Sequence, residues 1–246
     1  MEVKKICFYT LGASDALTHA RNCLLSWGYS VADAPCPAVT HLLLPVPSLE
    51  PSGSIKGGPN LQDALSSFSP EVTILGGMLP PLPVATVDLL QDAHYTAENA
   101  AITAHCALGL LIQQLPTTLT NLPVLILGWG RIGKCLGQLL SGMGAQVTVA
   151  ARRVEDRAMI AALRMEAVDL PVPQADRYAV VINTIPAPVL QAADTRPGAY
   201  LLDLASQPGI IGAHVHWERG LPGRLAPQSA GTLIAKTALR YALGKE

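Results

Sequence analysis

A chain of 246 residues is long enough for one large domain or two small ones, and either can bury a sizeable core. Apolar residues make up 50% and charged residues only 14%, which excludes a disordered chain. The formal net charge of −1 provides no basic field to hold a phosphate backbone, so nucleic acid is not an expected partner.

The elements alternate along the chain. Ile6 to Tyr9 reads as a strand. Ser14 is placed to cap a helix carrying Ala16, Ala20, Cys23, Leu24 and Leu25 and ending near Gly28. Thr40 to Leu44 reads as a buried strand stopped by Pro45 and Pro47, and the Ser-, Pro- and Gly-rich stretch 48–59 as a loop. A short helix over Leu61 to Phe68 and a strand over Val72 to Leu75 follow. Thr86 to Asp92 is read as a short helix. Thr96 to Leu115 is a long apolar helix, polar mainly at its ends, of the kind that is buried or joins two domains.

A second series begins at Leu122. Strands are expected at Val124 to Leu127, Val147 to Ala150, Ala179 to Asn183 and Tyr200 to Leu204. Helices are expected at Arg131 to Met143, Glu155 to Met165 and Leu233 to Leu243. The rhythm implies two parallel α/β lobes. The division expected is a flavodoxin-like N-terminal domain over 1–94, a linking helix within 95–121, a nucleotide-binding domain over 122–222, and a C-terminal helix within 223–246. Substrate is expected in the cleft between the lobes.

The longest apolar stretch, 100–115, is broken by His105 and ends in Gln113 and Gln114, short of the ~18 residues of a membrane span. No membrane partner is expected. Lys4 and Lys5 precede no apolar stretch of signal-peptide length. The five cysteines, Cys7, Cys23, Cys36, Cys106 and Cys135, are odd in number and include no CxxC pair. Neither a metal site nor a disulfide framework is expected, and free thiols point to the cytoplasm. So apolar a chain with so few charges also points to a homo-oligomer.

Gly128-Trp129-Gly130-Arg131-Ile132-Gly133 is a GxGxxG between a buried strand, VLIL, and a helix. That setting is what a dinucleotide fingerprint requires; the alternative is a glycine-rich turn without a ligand. Gly128 permits the tight turn, Gly130 lets the backbone approach a pyrophosphate, and Gly133 lets helix and strand pack closely. The amides of Arg131 and Ile132, at the positive end of the helix, face the phosphates. The class is therefore a doubly wound Rossmann sheet.

An NAD site carries Asp or Glu at the end of the second strand, about 20 residues on. Here that strand ends in Ala150-Ala151, followed by Arg152 and Arg153. Two guanidiniums suit a ribose 2′-phosphate, so NADP(H) is favoured over NAD(H); the alternative is a solvated loop. Asn183-Thr184-Ile185-Pro186 and the turn from Asp203 through Leu204, Ala205 and Ser206 to Gly209 follow two strands and fall on the cofactor edge of such a sheet. Pro186 is expected to end its strand and expose the amides of Thr184 and Ile185. Ser206 is a polar candidate beside the nicotinamide. Both turns also read as ordinary strand-end punctuation.

Thr96-Ala97-Glu98, GWGRIG, AARR, NTIP, DLASQPG and the later LPG…APQSAG occur in the order seen in the A subunit of dipicolinate synthase. LLLPVPS and ILGG resemble that family's first domain. The resemblance implies a Rossmann oxidoreductase related to the D-2-hydroxyacid dehydrogenases. It further implies formation of pyridine-2,6-dicarboxylate from a dihydrodipicolinate-type lysine-pathway intermediate. The partner it implies is a flavoprotein-like B subunit. In a spore-forming organism the site of action would be the mother-cell cytoplasm. Two departures stand out. The chain is shorter before Thr96 and before LPG, and Gln228 occupies the position where the family usually has Lys.

The substrate so implied is a small cyclic dicarboxylate. Thr96, Ser206, Gly223 and Ser229 are the candidate contacts, with Arg131 and Arg224 as cations. Thr96 and Ser229 are read as standing at helix N-termini, as anion donors or as simple N-caps. No residue is assigned as the catalytic base. His214 and His216 read as surface residues. Two alternatives remain: a D-2-hydroxyacid dehydrogenase, for which the Arg and the His–Glu pair are missing at their positions, and a dinucleotide-binding protein without turnover.

Overall fold

The computed structural model describes residues 6–244; Lys4 and Lys5 lie outside them. The elements run β1 (Cys7–Thr10), α1 (Asp15–Ser26), β2 (Ser30–Val31), β3 (His41–Leu43), α2 (Leu61–Leu65), β4 (Thr73–Gly76), β5 (Ala85–Asp88) and α3 (Ala93–Gln114). They continue with β6 (Pro123–Leu127), α4 (Arg131–Gly142), β7 (Gln146–Ala150), α5 (Val154–Ala162), β8 (Glu166–Val168), β9 (Val180–Asn183) and β10 (Leu190–Gln191). Last come β11 (Tyr200–Asp203), β12 (Ile210–Ile211), β13 (Val215–Trp217), α6 (Leu221–Leu225) and α7 (Pro227–Ala242). Two compact units result. One holds the described residues up to Asn99 and those from Pro222 onward; the other is Ala100–Leu221.

The first unit is built on a parallel sheet in the order β2-β1-β3-β4-β5. That is the flavodoxin-like order. Leu42, Leu44 and Ile74 pack with Ile55, Leu61 and Phe68 in its core. Ser14 caps α1, its Oγ accepting from the Leu17 amide at 3.1 Å, as the sequence indicated. Helix α7 packs on α1 at close range because Gly231 has no side chain. A Cβ there would lie 2.3 Å from the Ala16 carbonyl oxygen.

Three expectations in this unit are corrected. Residues 85–88 form edge strand β5, not the start of a helix, and Leu89–Gln91 add a single 3-10 turn. Both Ala85 and Thr86 are exposed, so the strand has no apolar alternation to announce it. Helix α3 starts at Ala93, not Thr96. Its cap is Asp92, whose Oδ1 accepts from the Tyr95 amide at 2.7 Å. Thr96 sits inside the first turn, its hydroxyl donating to the Asp92 carbonyl at 2.8 Å. Helix α7 starts at Pro227, six residues before the expected Leu233, with proline at the position where a missing N–H costs nothing. Ser229 is therefore in its first turn and not its cap.

The second unit carries a six-stranded parallel sheet in the order β13-β11-β9-β6-β7-β8. Counting β6, β7, β8, β9, β11 and β13 as one to six, this is the 3-2-1-4-5-6 order of a dinucleotide-binding Rossmann sheet. Strands buried on both faces read as the apolar runs VLIL and VVI. Leu125, Leu127, Val181 and Leu201 pack with Tyr178 and Ile210. The two outer strands, β8 and β13, went unforeseen. Each has three residues, and β13 exposes His216 and Trp217. Among the described residues no helix is long and apolar enough to cross a membrane.

Candidate functional site

The strand order reverses between β6 and β9, and the chain leaving both strands forms the site. At such a switch point the crevice beyond the strand ends receives the ligand. Gly128 leaves β6 with φ +103°, a conformation open to glycine and costly for L side chains. Its amide donates to the Ala150 carbonyl at 3.0 Å. A Cβ on Gly128 would lie 2.6 Å from Thr184 Oγ1, and one on Gly133 would lie 2.2 Å from the Gly128 carbonyl oxygen. Gly130, the N-cap of α4, differs: a Cβ there would meet nothing within 4 Å. The space above it is open, as a pyrophosphate cradle requires. The first amides of α4, at Arg131 and Ile132, have no acceptor within the helix.

The cleft beside this loop has a volume of about 320 Å³. Gly128, Trp129 and Gly130 form one wall, Arg152 and Arg153 another, and Thr184, Ile185 and Pro186 a third. The structure thus brings together three segments singled out in the sequence. Ala150 and Ala151, which precede the arginines in the AARR segment, also line it, and the structure adds Asp156 and Leu170, which the sequence did not indicate. A larger groove of about 630 Å³ on the same unit runs past Pro171, Asp176, Pro188 and Asp194 and includes none of the glycine loop. The site follows the switch point and the open glycine, not the larger volume.

The arginine segment is held from beneath. Arg157 Nη1 donates to the carbonyls of Ala151 and Arg152 at 2.8 and 2.7 Å, and lies 3.0 Å from Asp169 Oδ1. Arg153 is paired with Glu155, through Nε at 2.6 Å and through Nη2, and its Nε is 3.9 Å from Asp156. Its own amide at the helix start, followed by the Arg153 guanidinium, holds the Glu155 carboxyl below the usual range. Among the described residues Arg152 has no acidic partner.

Asn183 and the Asp203 turn stand at the strand ends, where the sequence placed them, but their polar groups bond within the protein. Asn183 is fully buried and spans the turn: Oδ1 accepts from the Ile185 amide at 3.0 Å, and Nδ2 donates to the Ile185 carbonyl at 2.9 Å. The Thr184 amide donates to the Leu127 carbonyl at 2.9 Å. The amides of Thr184 and Ile185 are therefore used internally and are not presented to a ligand. Leu204 and Ala205 are buried, and Ala205 is tied by its amide to Asp203 and by its carbonyl to Trp217 Nε1. Ser206 is exposed on the same turn.

Thr96, Gly223 and Ser229 belong to the first unit and Ser206 to the second. Gly223 is exposed within α6, and Ser229 is exposed in the first turn of α7. His214 is exposed, and His216, also exposed, stacks on Tyr200 with ring centroids 4.8 Å apart.

No protein-family model matches the chain. The A subunit of dipicolinate synthase from Bacillus subtilis (strain 168) is 30% identical to it over an alignment of 164 positions that covers 61% of this chain and 54% of that protein. The match thus spans about half the length of this curated relative. The crystal structure of the dipicolinate synthase A subunit from Bacillus halodurans superposes with a TM-score of 0.83 at 23% identity, over 98% of each chain. That of the Bacillus subtilis counterpart gives 0.82 at 20% identity, over 98% of this chain and 96% of its own. A transhydrogenase from Sinorhizobium meliloti gives 0.63 at 13% identity, over 96% of this chain and 93% of its own. At these identities the structures establish the shared fold. In sequence over the matched stretch, and in fold over nearly its whole length, the chain resembles the family of dipicolinate synthase A subunits.

Proposed function

We propose that the protein is an NADP(H)-dependent oxidoreductase subunit that forms dipicolinate from a dihydrodipicolinate-type precursor, together with a flavoprotein-like B subunit. The observation that carries the reading is the open cradle over Gly130, set at the switch point of a Rossmann sheet and flanked by Arg152 and Arg153. The similarity to the A subunit of dipicolinate synthase supports the substrate class. A bound nicotinamide would supply the acceptor for a hydride. The α4 amides hold the pyrophosphate, and the arginine segment faces the ribose 2′-phosphate. Thr96, Ser206, Gly223 and Ser229 contact the substrate carboxylates. The dihydro ring loses a hydride and a proton and becomes aromatic, so the protein's task is chiefly to hold ring and acceptor in register.

The test uses the purified chain with its B subunit, NADP⁺, and dihydrodipicolinate generated in place. Dipicolinate and reduced nicotinamide are expected in equal amounts. Nucleotide binding without oxidation would favour a dinucleotide-binding protein without turnover. Oxidation of a D-2-hydroxy acid would favour the dehydrogenase alternative. Alanine at Ser206 and at Ser229, both exposed, should weaken the dicarboxylate and leave the melting temperature unchanged.

A further inference from the structure

Arg152, Arg153 and Asp156 line the cleft, Glu155 is bonded to Arg153 beside it, and the structure divides these four charged side chains into two sets. Arg153 is engaged by Glu155 and Asp156. Arg152 has no acidic partner among the described residues, and its backbone is held by Arg157. We propose that Arg152 is the ligand of the ribose 2′-phosphate, and that Glu155 and Asp156 restrain Arg153 and thereby set how strongly the site prefers NADP(H) over NAD(H). The proposal rests on the dinucleotide reading above and adds to it a division of labour between the two arginines.

The charges decide the matter. Arg152 and Arg153 contribute two positive charges, Glu155 and Asp156 two negative ones, so the segment as a whole is neutral. A phosphate carries nearly two negative charges and binds best to a guanidinium that is not already bidentate to a carboxylate. To take the Nε and Nη2 edge of Arg153 it must displace Glu155, whose Oε1 holds both groups. It must also approach Asp156, which lines the same cleft. Engaging Arg152 demands neither step. Arg157 adds order: by bonding the carbonyls of Ala151 and Arg152 it fixes the backbone from which Arg152 projects. Arg157 is in this sense a positioning residue.

The acids also give the site an intermediate character. A ribose 2′-hydroxyl is held by a carboxylate in NAD sites. Asp156 and Glu155 begin the helix after the arginines, not the strand end, and act on nucleotide choice through Arg153.

The experiment measures binding by calorimetry with two probes that lack nicotinamide, ADP-ribose and its 2′-phosphate. Arg152→Ala should weaken the 2′-phosphate probe about tenfold or more and leave ADP-ribose unchanged. Arg153→Ala should change either probe by less than about threefold. Glu155→Gln with Asp156→Asn should tighten the 2′-phosphate probe by roughly three- to tenfold, because Arg153 becomes available to it. All these side chains lie at the protein surface, so the variants should fold, and melting curves verify it. An equal loss in Arg152→Ala and Arg153→Ala, or no gain in the double variant, would overturn the division of labour. Equal affinity of the unaltered protein for the two probes would overturn the NADP(H) preference. Binding of neither would overturn the dinucleotide reading itself.

Discussion

Asn183 Nδ2 donates to Asp203 Oδ1 at 2.9 Å, and both side chains have no exposed surface. The two residues end adjacent strands, β9 and β11, and this contact joins the turns that follow them. Asp203 Oδ1 also accepts from the Ala205 amide at 3.0 Å, and Oδ2 from the amides of Gly209 and Ile210 at 2.7 and 2.9 Å. The carboxylate thus receives four donors from the protein itself. Gly209 must be glycine at this junction, since a Cβ would lie 2.3 Å from Asn183 Nδ2.

Removing Asp203 should therefore damage the fold. Asp203→Ala leaves four buried donors unsatisfied, each worth about 1–3 kcal/mol, partly relieved by water entering the gap. A net loss of about 3 kcal/mol or more is expected in urea unfolding. Asn183→Ala should cost somewhat less and also weaken nucleotide binding, because Ile185, held by the Asn183 amide, lines the cleft.

The glycines separate binding from stability. Gly130→Val should leave the melting temperature nearly unchanged, since its Cβ would enter open space, and should abolish calorimetric nucleotide binding. Gly133→Val should lower stability by several kcal/mol (on the order of 3), because its Cβ would press on the backbone at Gly128. Unchanged nucleotide affinity in Gly130→Val would place the site elsewhere.

Acid should weaken the first unit through Asp92. Burial raises the pKa of this carboxyl, but the Tyr95 amide, the Tyr241 hydroxyl and the Arg240 guanidinium outweigh it and hold the value at about 2, against an ordinary 3.8. A depressed carboxyl pKa stabilises the fold above the ordinary value, and that contribution disappears as pH falls from 3.8 through about 2. Its size is roughly 1–2 kcal/mol after solvent screening. Asp92→Asn should be less stable at neutral pH and should flatten the stability curve in that acidic window. Equal slopes for the two proteins would contradict the assignment.

Packing of α7 on α1 should depend on Gly231. Besides the Ala16 carbonyl, a Cβ at this position would lie 2.8 Å from His19 Cβ and 3.0 Å from the Ala20 amide nitrogen, so the helices would have to part. Gly231→Val is expected to cost about 2–3 kcal/mol by overpacking, in spite of the better helix propensity of valine over glycine. Chemical unfolding checks it; a stabilised variant would show that the two helices are free to separate.

Some of these features are caused by a few neighbouring residues and were legible in the chain before it folds. Ser14 caps the helix that begins one residue later. The run VLIL followed by GWGRIG carries its strand, its turn and its helix start within a dozen residues, so the glycine loop could be read directly. Thr96 and Ser229 were misplaced as caps because hydroxyls are good caps in general. Here Asp92 takes one place, and Pro227, lacking an N–H, relieves the other. Short strands such as β8 and β13 have too few residues to show a period, and only pairing with a neighbour makes them strands. Which polar groups meet is a property of the folded chain. Asn183 finds Asp203 across 20 residues, and Asp92 finds Arg240 across 148. Arg153 carries two acids nearby in sequence, but only the folded geometry shows that it holds them while Arg152 does not. Such pairings follow from the burial of groups that need a partner once water is excluded, and no local pattern states which partner the fold will deliver.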